Sequence, residues 1–387
     1  MSVHPVYGDR RTDPDLLRPY TRFVLTVACD TGPLHGPATG IARATAGLLD
    51  ALAHHDIAVL PYVVSYRARL NDGTRRLALP ASLALRAWGH VDRPRAERFV
   101  RGADLIHGTN YVVPPSSLPR VVSVYDCWAL DHPDLVHSDV RLAMRVLRRS
   151  IATGAVVHAS SRATAERLRE HFPNVDVEVI HLGSTPLPSP PNAPSTRLAE
   201  LVGARPFVLA MGTIEVRKNL PRLVRAFAAA NVGDISLVVA GGDGNDRPAL
   251  DEALAELRPD VSSRVVVTGR VDDGDASWLV HHARALAYPS LDEGFGFPIL
   301  EAFAAGVPVV ASTAGSIPEV AGDAALLVDP LDIDRLAAAL SRAVEDDAER
   351  ARLVSAGRDR VGEFSWANTA ARMVALYRRV VADSVRS

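Results

Sequence analysis

The sequence predicts an α/β protein of two doubly wound domains facing each other across a cleft, with a C-terminal helix crossing back to the first domain. Three observations lead there. Short apolar runs alternate with longer helical patterns in two successive series, and such alternation produces parallel sheets covered on both faces. The series are separated by Gly183-Ser-Thr-Pro-Leu-Pro-Ser-Pro-Pro-Asn-Ala-Pro-Ser195. Its prolines exclude a helix or a central strand, so it reads as a linker. The chain has 387 residues and is 48% hydrophobic, enough for two ordinary domains with a core each.

Residues 1–21 are polar and read as an irregular arm. Strands follow at Phe23–Ala28, Ala58–Val63, Asp104–His107, Val121–Tyr125, Val156–Ala159 and Val177–Ile180. Helical periodicity marks Gly40–Ala53, Val140–Ile151 and Arg162–His171. The second series has strands at Phe207–Ala210, Ser236–Ala240, Val265–Thr268, Ala285–Tyr288, Val307–Ala311 and Ala325–Val328. Helices lie between them at Leu220–Ala230, Leu250–Leu257, Ala276–Ala283 and Pro298–Ala305. The tail reads as helices Asp332–Ala343, Asp347–Val361 and Ser365–Ala382, the last long enough to return to the first domain. The expected domains are thus 1–190, joined by about 366–387, and 200–365. In sheets of this kind ligands bind outside the carboxyl ends of the strands.

Bulk numbers narrow the function. Net charge is −2, which gives no support to wholesale nucleic-acid binding. Residues 1–190 carry a balance of +4 and the remainder −6. Cys29 and Cys127 end apolar runs and read as buried free thiols. No apolar run reaches membrane-spanning length and the first residues hold no secretory apolar stretch, so a cytoplasmic protein is expected.

Of 43 basic residues only Lys218 is lysine, in Gly212-Thr-Ile-Glu-Val-Arg-Lys-Asn219. Lysine is a compact point charge and arginine a planar fork, so a lysine kept in so arginine-rich a chain marks a place where arginine does not serve. Arg217 and Lys218 precede a helix start at Asn219-Leu-Pro221, where Asn219 can cap and Pro221 suits the first turn. Two cations beside the positive end of a helix form an anion site, here read as a diphosphate clamp. A chance lysine on a solvated surface is the alternative until the next motif is weighed.

Residues 293–301 read Glu-Gly-Phe-Gly-Phe-Pro-Ile-Leu-Glu. Pro298 presets a first helical turn, which places Glu301 early on that helix. Gly294 and Gly296 let the backbone approach a ligand and aim N–H groups at it. A carboxylate accepts two hydroxyl hydrogen bonds, which suits a vicinal diol. Either glutamate alone reads as a solvated side chain; the whole string reads as a sugar-nucleotide cradle.

With these residues in place the chain resembles a family 4 glycosyltransferase of the GT-B fold, mannosyltransferase-like. The Glu-x7-Glu string, the Arg-Lys-Asn segment after Met211-Gly-Thr213, Gly315-Ser-Ile-Pro-Glu319 and Val320–Pro330 carry the resemblance, which is strong from about residue 205 onward. Thr39-Gly-Ile-Ala-Arg43, Ile106-His-Gly-Thr-Asn110 and His158-Ala-Ser-Ser161 extend it more weakly into the first half. The resemblance implies two Rossmann-like domains and transfer of a hexose from a nucleotide-sugar, with retention at the anomeric carbon and no metal or other cofactor. It implies that Arg217 and Lys218 hold the diphosphate, with Gly212 and Thr213 beside them. Glu301 would bind the ribose. Glu293 and the Gly294-Phe295-Gly296-Phe297 backbone would hold the donor sugar, Arg270 and Val271 would flank the base, and Gly40 would approach the phosphates. The catalytic set implied is Asp126, Arg217, Lys218 and Glu293.

One departure stands out. Family members often carry His-Asp at the end of a first-domain strand, and this chain has Tyr125-Asp126. Tyrosine donates a hydrogen bond but does not carry an imidazole's charge near neutral pH. In the front-face mechanism proposed for retaining enzymes of this kind the leaving phosphate takes the acceptor proton, so transfer survives the change. Tyr125 and His132 are assigned to the acceptor side. Asp13-Pro-Asp15 and Asp332-Ile-Asp334 mimic metal-binding pairs but read as solvated acids or helix caps. Arg141, Arg145, Arg148 and Arg149 share a helix face, either solvated or a weak contact for an anionic membrane surface.

The donor expected is GDP-mannose, ahead of a UDP- or TDP-sugar, and the acceptor is a saccharide, a lipid-linked group or a small molecule. A nucleotide-sugar epimerase on the same fold is the second reading and a non-catalytic sugar-nucleotide sensor the third. A dehydrogenase is disfavoured because Gly32–Gly40 lacks the dinucleotide glycine spacing.

Overall fold

The computed structural model describes residues 24–36, 39–65, 68, 70, 73–230 and 232–386. The expected arm 1–21 with Asp13 and Asp15, Phe23 of the first strand, and Pro37 and Ala38 of the first loop lie outside them. The first sheet contains β1 (Leu25–Asp30), β2 (Ile57–Val64), β3 (Arg75–Leu77), β4 (Leu105–Gly108), β5 (Arg120–Val124), β6 (Val156–Ala159) and β7 (Val177–Val179). Its spatial order is β3-β2-β1-β4-β5-β6-β7. The second contains β8 (Phe207–Met211), β9 (Ser236–Ala240), β10 (Val265–Gly269), β11 (Ala285–Tyr288), β12 (Val309–Ser312) and β13 (Ala325–Val328), in the order β10-β9-β8-β11-β12-β13. All pairings are parallel. The central strands β4, β5, β6, β9, β11 and β12 are buried along their whole length, as strands packed on both faces must be. Strand order reverses between β1 and β4 and again between β8 and β11, so each sheet has a crevice at its carboxyl edge. This is the GT-B arrangement.

Strand β3 and helices Ala81–Trp88 and Thr196–Val202 are among the elements that go beyond the sequence reading. Strand β3 and helix Ala81–Trp88 follow a polar segment with no apolar periodicity, and β3 is an edge strand paired to β2 alone. The linker stays irregular up to Ser195, whose hydroxyl accepts from Leu198 N–H and caps helix Thr196–Val202. Leu198 and Val202 then join the core of the second domain.

The C-terminal helix Trp366–Arg386 packs on the first sheet. Ala370, Met373, Val374, Tyr377 and Val380 meet Val27, Leu48, Leu52 and Leu105. Trp366 is seated against two glycines: a Cβ on Gly47 would lie 2.3 Å from its ring and one on Gly183 2.4 Å. A buried polar chain ties the helix down. Tyr377 donates to His107 Nδ1 (2.8 Å), His107 Nε2 donates to Ser123 Oγ (2.8 Å), and Ser123 donates to His158 Nδ1 (2.8 Å). His158 Nε2 ends the chain on the Ile180 carbonyl at 2.9 Å. That carbonyl is an acceptor only, so it sets the direction of every donor behind it.

Burial pushes His107 down to about 3 and His158 down to about 4. Both imidazoles are therefore neutral in the folded chain, and their contribution to stability is complete above the ordinary histidine value near 6.5. It is lost as pH falls below that value toward 4. Replacing His158 by Gln should destabilise the protein at pH 7. The gap to the wild type should narrow by roughly 1.4 kcal/mol per pH unit between about pH 6.5 and 4. Urea unfolding of both proteins across that range checks this, because taking the difference removes the opposing titration of the buried carboxyls.

Candidate active site

The charged centre forms where the loops after β8 and β11 meet. The chain leaves β8 through Gly212 and Thr213 and makes one tight turn, Val216–Lys218. Asn219 is not the side-chain cap expected. It adopts a left-handed conformation (φ 57°) and its amide donates to the carbonyls of Pro289 (3.1 Å) and Pro330 (2.8 Å). Two loops are thereby pinned to the turn. Helix Leu220–Ala229 still begins with Pro221 in its first turn.

The turn aims both cations at the sheet edge. Lys218 Nζ lies 2.6 Å from Glu293 Oε1 and 3.2 Å from the Tyr288 hydroxyl, with Nζ 4.8 Å from the Tyr288 ring centroid. Arg217 donates to Glu293 Oε2 at 3.0 Å and lies 3.7 Å from Asp126 Oδ2 of the first domain. Gly212 (φ 130°) leaves room for the lysine, since a Cβ there would sit 3.2 Å from Lys218 Cε. Burial alone would raise the Glu293 carboxyl, but Lys218 and Arg217 outweigh it and hold it down to about 2. Its neighbour Asp292 goes the other way, to about 6, through burial and then the charges of Asp126 and Glu293. Two adjacent carboxyls thus have opposite characters: Glu293 is a permanent anion and Asp292 a group that takes up a proton near neutrality.

Gly296 (φ 104°) opens helix Phe297–Ala304, and Pro298 occupies its first turn. Glu301 follows, 6% exposed and paired with the Arg43 guanidinium of helix Gly40–Leu52 in the first domain. Burial raises its carboxyl against the pull of Arg43. Gly40 faces Phe297 across the cleft, where its Cβ would lie 3.7 Å from the ring. Phe295 is buried edge-on against Phe297 (5.3 Å) and Phe364 (5.7 Å). Gly294 touches the first domain directly: a Cβ there would lie 1.6 Å from the Tyr125 carbonyl oxygen and 2.9 Å from Asp126 Cβ. Ser160 stitches the same contact, its single hydroxyl proton shared between the carbonyls of Tyr125 (3.0 Å) and Gly294 (2.9 Å).

Tyr125 is buried, and its hydroxyl donates to the Thr109 carbonyl at 2.9 Å. That hydroxyl serves packing in the first domain, and burial holds it far above the usual phenol range. Asp126 accepts from Trp128 N–H at 3.1 Å and reaches toward Arg217, so it is both a turn acid and a partner of the charged centre. His132 lies against Trp128 with ring centroids 4.0 Å apart and planes tilted by 46°, and it lines an interdomain cleft of about 400 Å³. Arg270 follows β10 and passes beside Gly242, while Val271 packs on the second-domain core. Asp332 caps helix Ile333–Glu345 through Arg335 N–H, as a cap reading requires. Arg149 makes a bidentate pair with Asp92, Arg141 donates to the Val136 carbonyl, and Arg148 lies over Phe172.

The sequence reading singled out none of Arg43, Tyr288, Asp292 or Trp128 for the site. Arg43 lay inside a quoted string and Asp292 directly precedes Glu293, so a signal existed for both. Glu319 was quoted only as part of a motif. It accepts from Arg162 N–H at 2.8 Å and binds His181 Nε2 at 2.6 Å, capping a first-domain helix from the second domain.

Residues 199–360 match the family model for glycosyl transferases group 1. Over that segment the chain is similar to the group 1 glycosyl transferases. It is 29% identical over 286 residues to O-antigen chain mannosyltransferase B of Escherichia coli, covering 71% of this chain and 74% of that one. It is 36% identical over 136 residues to the MMP alpha-(1->4)-mannosyltransferase of Mycolicibacterium hassiacum, about a third of each chain. Among solved structures, sucrose-phosphate synthase from Thermosynechococcus elongatus superposes with a TM-score of 0.70 at 20% identity, covering 93% of this chain and all of the other. Anabaena HepE in complex with UDP and glucose gives 0.68 at 18% identity, over 92% of this chain and all of the other. These two likenesses show the fold. With the group 1 match and its relatives, the protein is a hexosyltransferase. The group 1 match holds Lys218, Glu293 and Glu301, so these residues of the charged centre fall inside the matched segment. Among the described residues, no helix is long and apolar enough to cross a membrane.

Proposed function

We propose that the protein is a retaining, metal-independent glycosyltransferase that moves mannose from GDP-mannose to a hydroxyl acceptor. The observation that carries this is the convergence of Arg217, Lys218 and Glu293 beside the Glu301 helix, at the carboxyl edge of the second sheet. The cations suit a diphosphate, and charge-assisted contacts to phosphate oxygens are the strong kind. Glu301 suits the ribose diol. Glu293, a permanent anion beside the cations, suits the donor sugar as its ring gains positive charge. The anomeric carbon–phosphate oxygen bond breaks, the acceptor oxygen bonds the same face of that carbon, and the acceptor proton passes to the leaving phosphate. Asp126, held near Arg217, orients the phosphate side of this exchange. Mannose is favoured because the relatives named above are mannosyltransferases. A weak contact with an anionic surface through Arg141, Arg145, Arg148 and Arg149 would rest chiefly on Arg145, since the other three are engaged within the domain.

Thermal shift against a panel of nucleotides and nucleotide-sugars tests the donor, because a ligand that binds only the folded state raises the melting temperature. GDP and GDP-mannose should give the largest shifts, and a larger shift from UDP- or TDP-sugars would reassign the base. Transfer should continue in excess chelator, with Arg217 and Lys218 neutralising the leaving group. Activity abolished by chelator and restored by Mg²⁺ or Mn²⁺ would contradict that. Proton NMR of the product should show the donor's own anomeric configuration. Interconversion of the donor sugar without an acceptor would point to an epimerase instead.

A further inference from the structure

Beside the charged centre lies the cleft of about 400 Å³, shared between the domains. Its volume falls within the ~300–1,000 Å³ of ordinary small-molecule sites. The first domain contributes Trp128 and His132, the second Asp292 and Gly315. Because Asp292 directly precedes Glu293, the cleft adjoins the place assigned to the donor sugar.

The charge lining this cleft is unbalanced. Asp131, Glu166, Glu170 and Asp292 line it against one arginine, Arg167. That guanidinium is already committed: it lies 2.7 Å from Asp131 Oδ1 and bonds Glu170. Asp131 also holds His171 at 2.7 Å. The Asp292 carboxyl is itself raised by burial and then by the charges of Asp126 and Glu293 in the adjoining centre, with Asp131 of the cleft adding least. A phosphate placed here would meet carboxylates and no uncommitted arginine, and like charges at close range repel. A ring of hydroxyls would meet acceptors in Asp131, Glu166 and Glu170, since an ionised carboxylate only accepts, and in Asp292 above about pH 6. The Trp128–His132 pair offers an aromatic surface to the C–H face of such a ring.

Resting on the transferase reading, we propose that this cleft is the acceptor subsite and that it selects a neutral, polyhydroxylated acceptor, a non-phosphorylated saccharide. The ring lies on Trp128 and its hydroxyls donate to the surrounding carboxylates. The residues around the cleft thereby exclude acceptors that carry a phosphate on the bound ring.

The test is ligand-observed NMR on the full chain saturated with GDP. The probes are the methyl α-glycosides of mannose, glucose and galactose and the 6-phosphate of each. At least one neutral glycoside should bind, with its 6-phosphate at least fivefold weaker. Trp128→Ala should weaken the neutral ligand at least fivefold while GDP affinity, measured separately, stays the same. Trp128→Phe, which keeps a ring, should retain most of the binding and covers the case of an alanine variant that fails to fold. Glu170→Gln combined with Asp292→Asn should shrink the discrimination against phosphate to less than twofold. A 6-phosphate that binds as well as its parent, no glycoside binding at all, or binding that survives loss of the ring would overturn the proposal. GDP, UDP and TDP all failing to bind the wild type would instead defeat the donor reading beneath it, and that result is read without any glycoside.

Discussion

Lys218→Ala should lower nucleoside-diphosphate affinity about 10- to 100-fold and also destabilise the fold, while adding Glu293→Gln should restore stability but not affinity. The first effect follows from removing a charge-assisted contact, about 1.5–3 kcal/mol. The second follows from the centre's geometry. Glu293 is 7% exposed and shares its charge between Lys218 and Arg217. Removing Lys218 leaves the buried carboxylate with Arg217 alone, which Asp126 also approaches, at a cost below the ~3–5 kcal/mol of breaking a buried pair outright. Neutralising Glu293 removes that cost without supplying a phosphate ligand. Urea melts and GDP titrations of the two single variants and the double variant give both quantities. A coupling energy near zero between the two positions would mean that the pair is not the unit described here.

Gly294→Ala should fold normally and lose on the order of 100-fold in kcat/KM, because displacement of a catalytic geometry by about 1 Å has that scale. The added methyl would fall 1.6 Å from the Tyr125 carbonyl oxygen, backbone that has no rotamer to yield. Relief has to come from the domains moving apart, which separates Asp126 from Arg217 and Glu301 from Arg43. Gly242→Ala is the control, since its nearest neighbour would be the Arg270 side chain at 3.8 Å. Steady-state kinetics with a thermal melt on both variants decides the matter. Unchanged kinetics in Gly294→Ala would show that closure against Tyr125 is not needed for turnover.

Glycine 294 also shows where sequence reasoning reached and where it stopped. The Glu-x7-Glu string was legible because spacing along one chain segment sets it: a loop, two glycines, a helix-starting proline and an acid on the first turns. Lys218 was legible because the composition made it conspicuous. What those residues touch was not legible. Glu301 pairs with Arg43 from a helix 258 residues earlier, and Asp126 meets Arg217 across the same cleft. Such contacts depend on how two domains sit together, which no local pattern records. Gly294 was read as a close approach to ligand, and the close approach found is to the other domain's backbone. Tyr125 replaces an expected histidine, and its hydroxyl turns inward to Thr109 rather than into the cleft. Strand β3 escaped notice because an edge strand of three residues, two of them arginine, has no alternation to read.

The central claim is that Glu301 serves the nucleotide and Glu293 the transferred sugar, with the two cations between them. Calorimetric titration of Glu301→Gln and Glu293→Gln, first with GDP and then with GDP-mannose, tests it most directly. Glu301→Gln should lose affinity for both ligands about equally, the mark of binding that does not change along the reaction. Glu293→Gln should bind bare GDP at least as well as wild type, because Lys218 and Arg217 are no longer shared with a carboxylate. Its loss should appear in kcat, where the interaction strengthens in the transition state. If Glu293→Gln loses GDP while Glu301→Gln keeps it, the two roles are reversed; if neither variant changes either ligand, the string is not the donor site and the account fails.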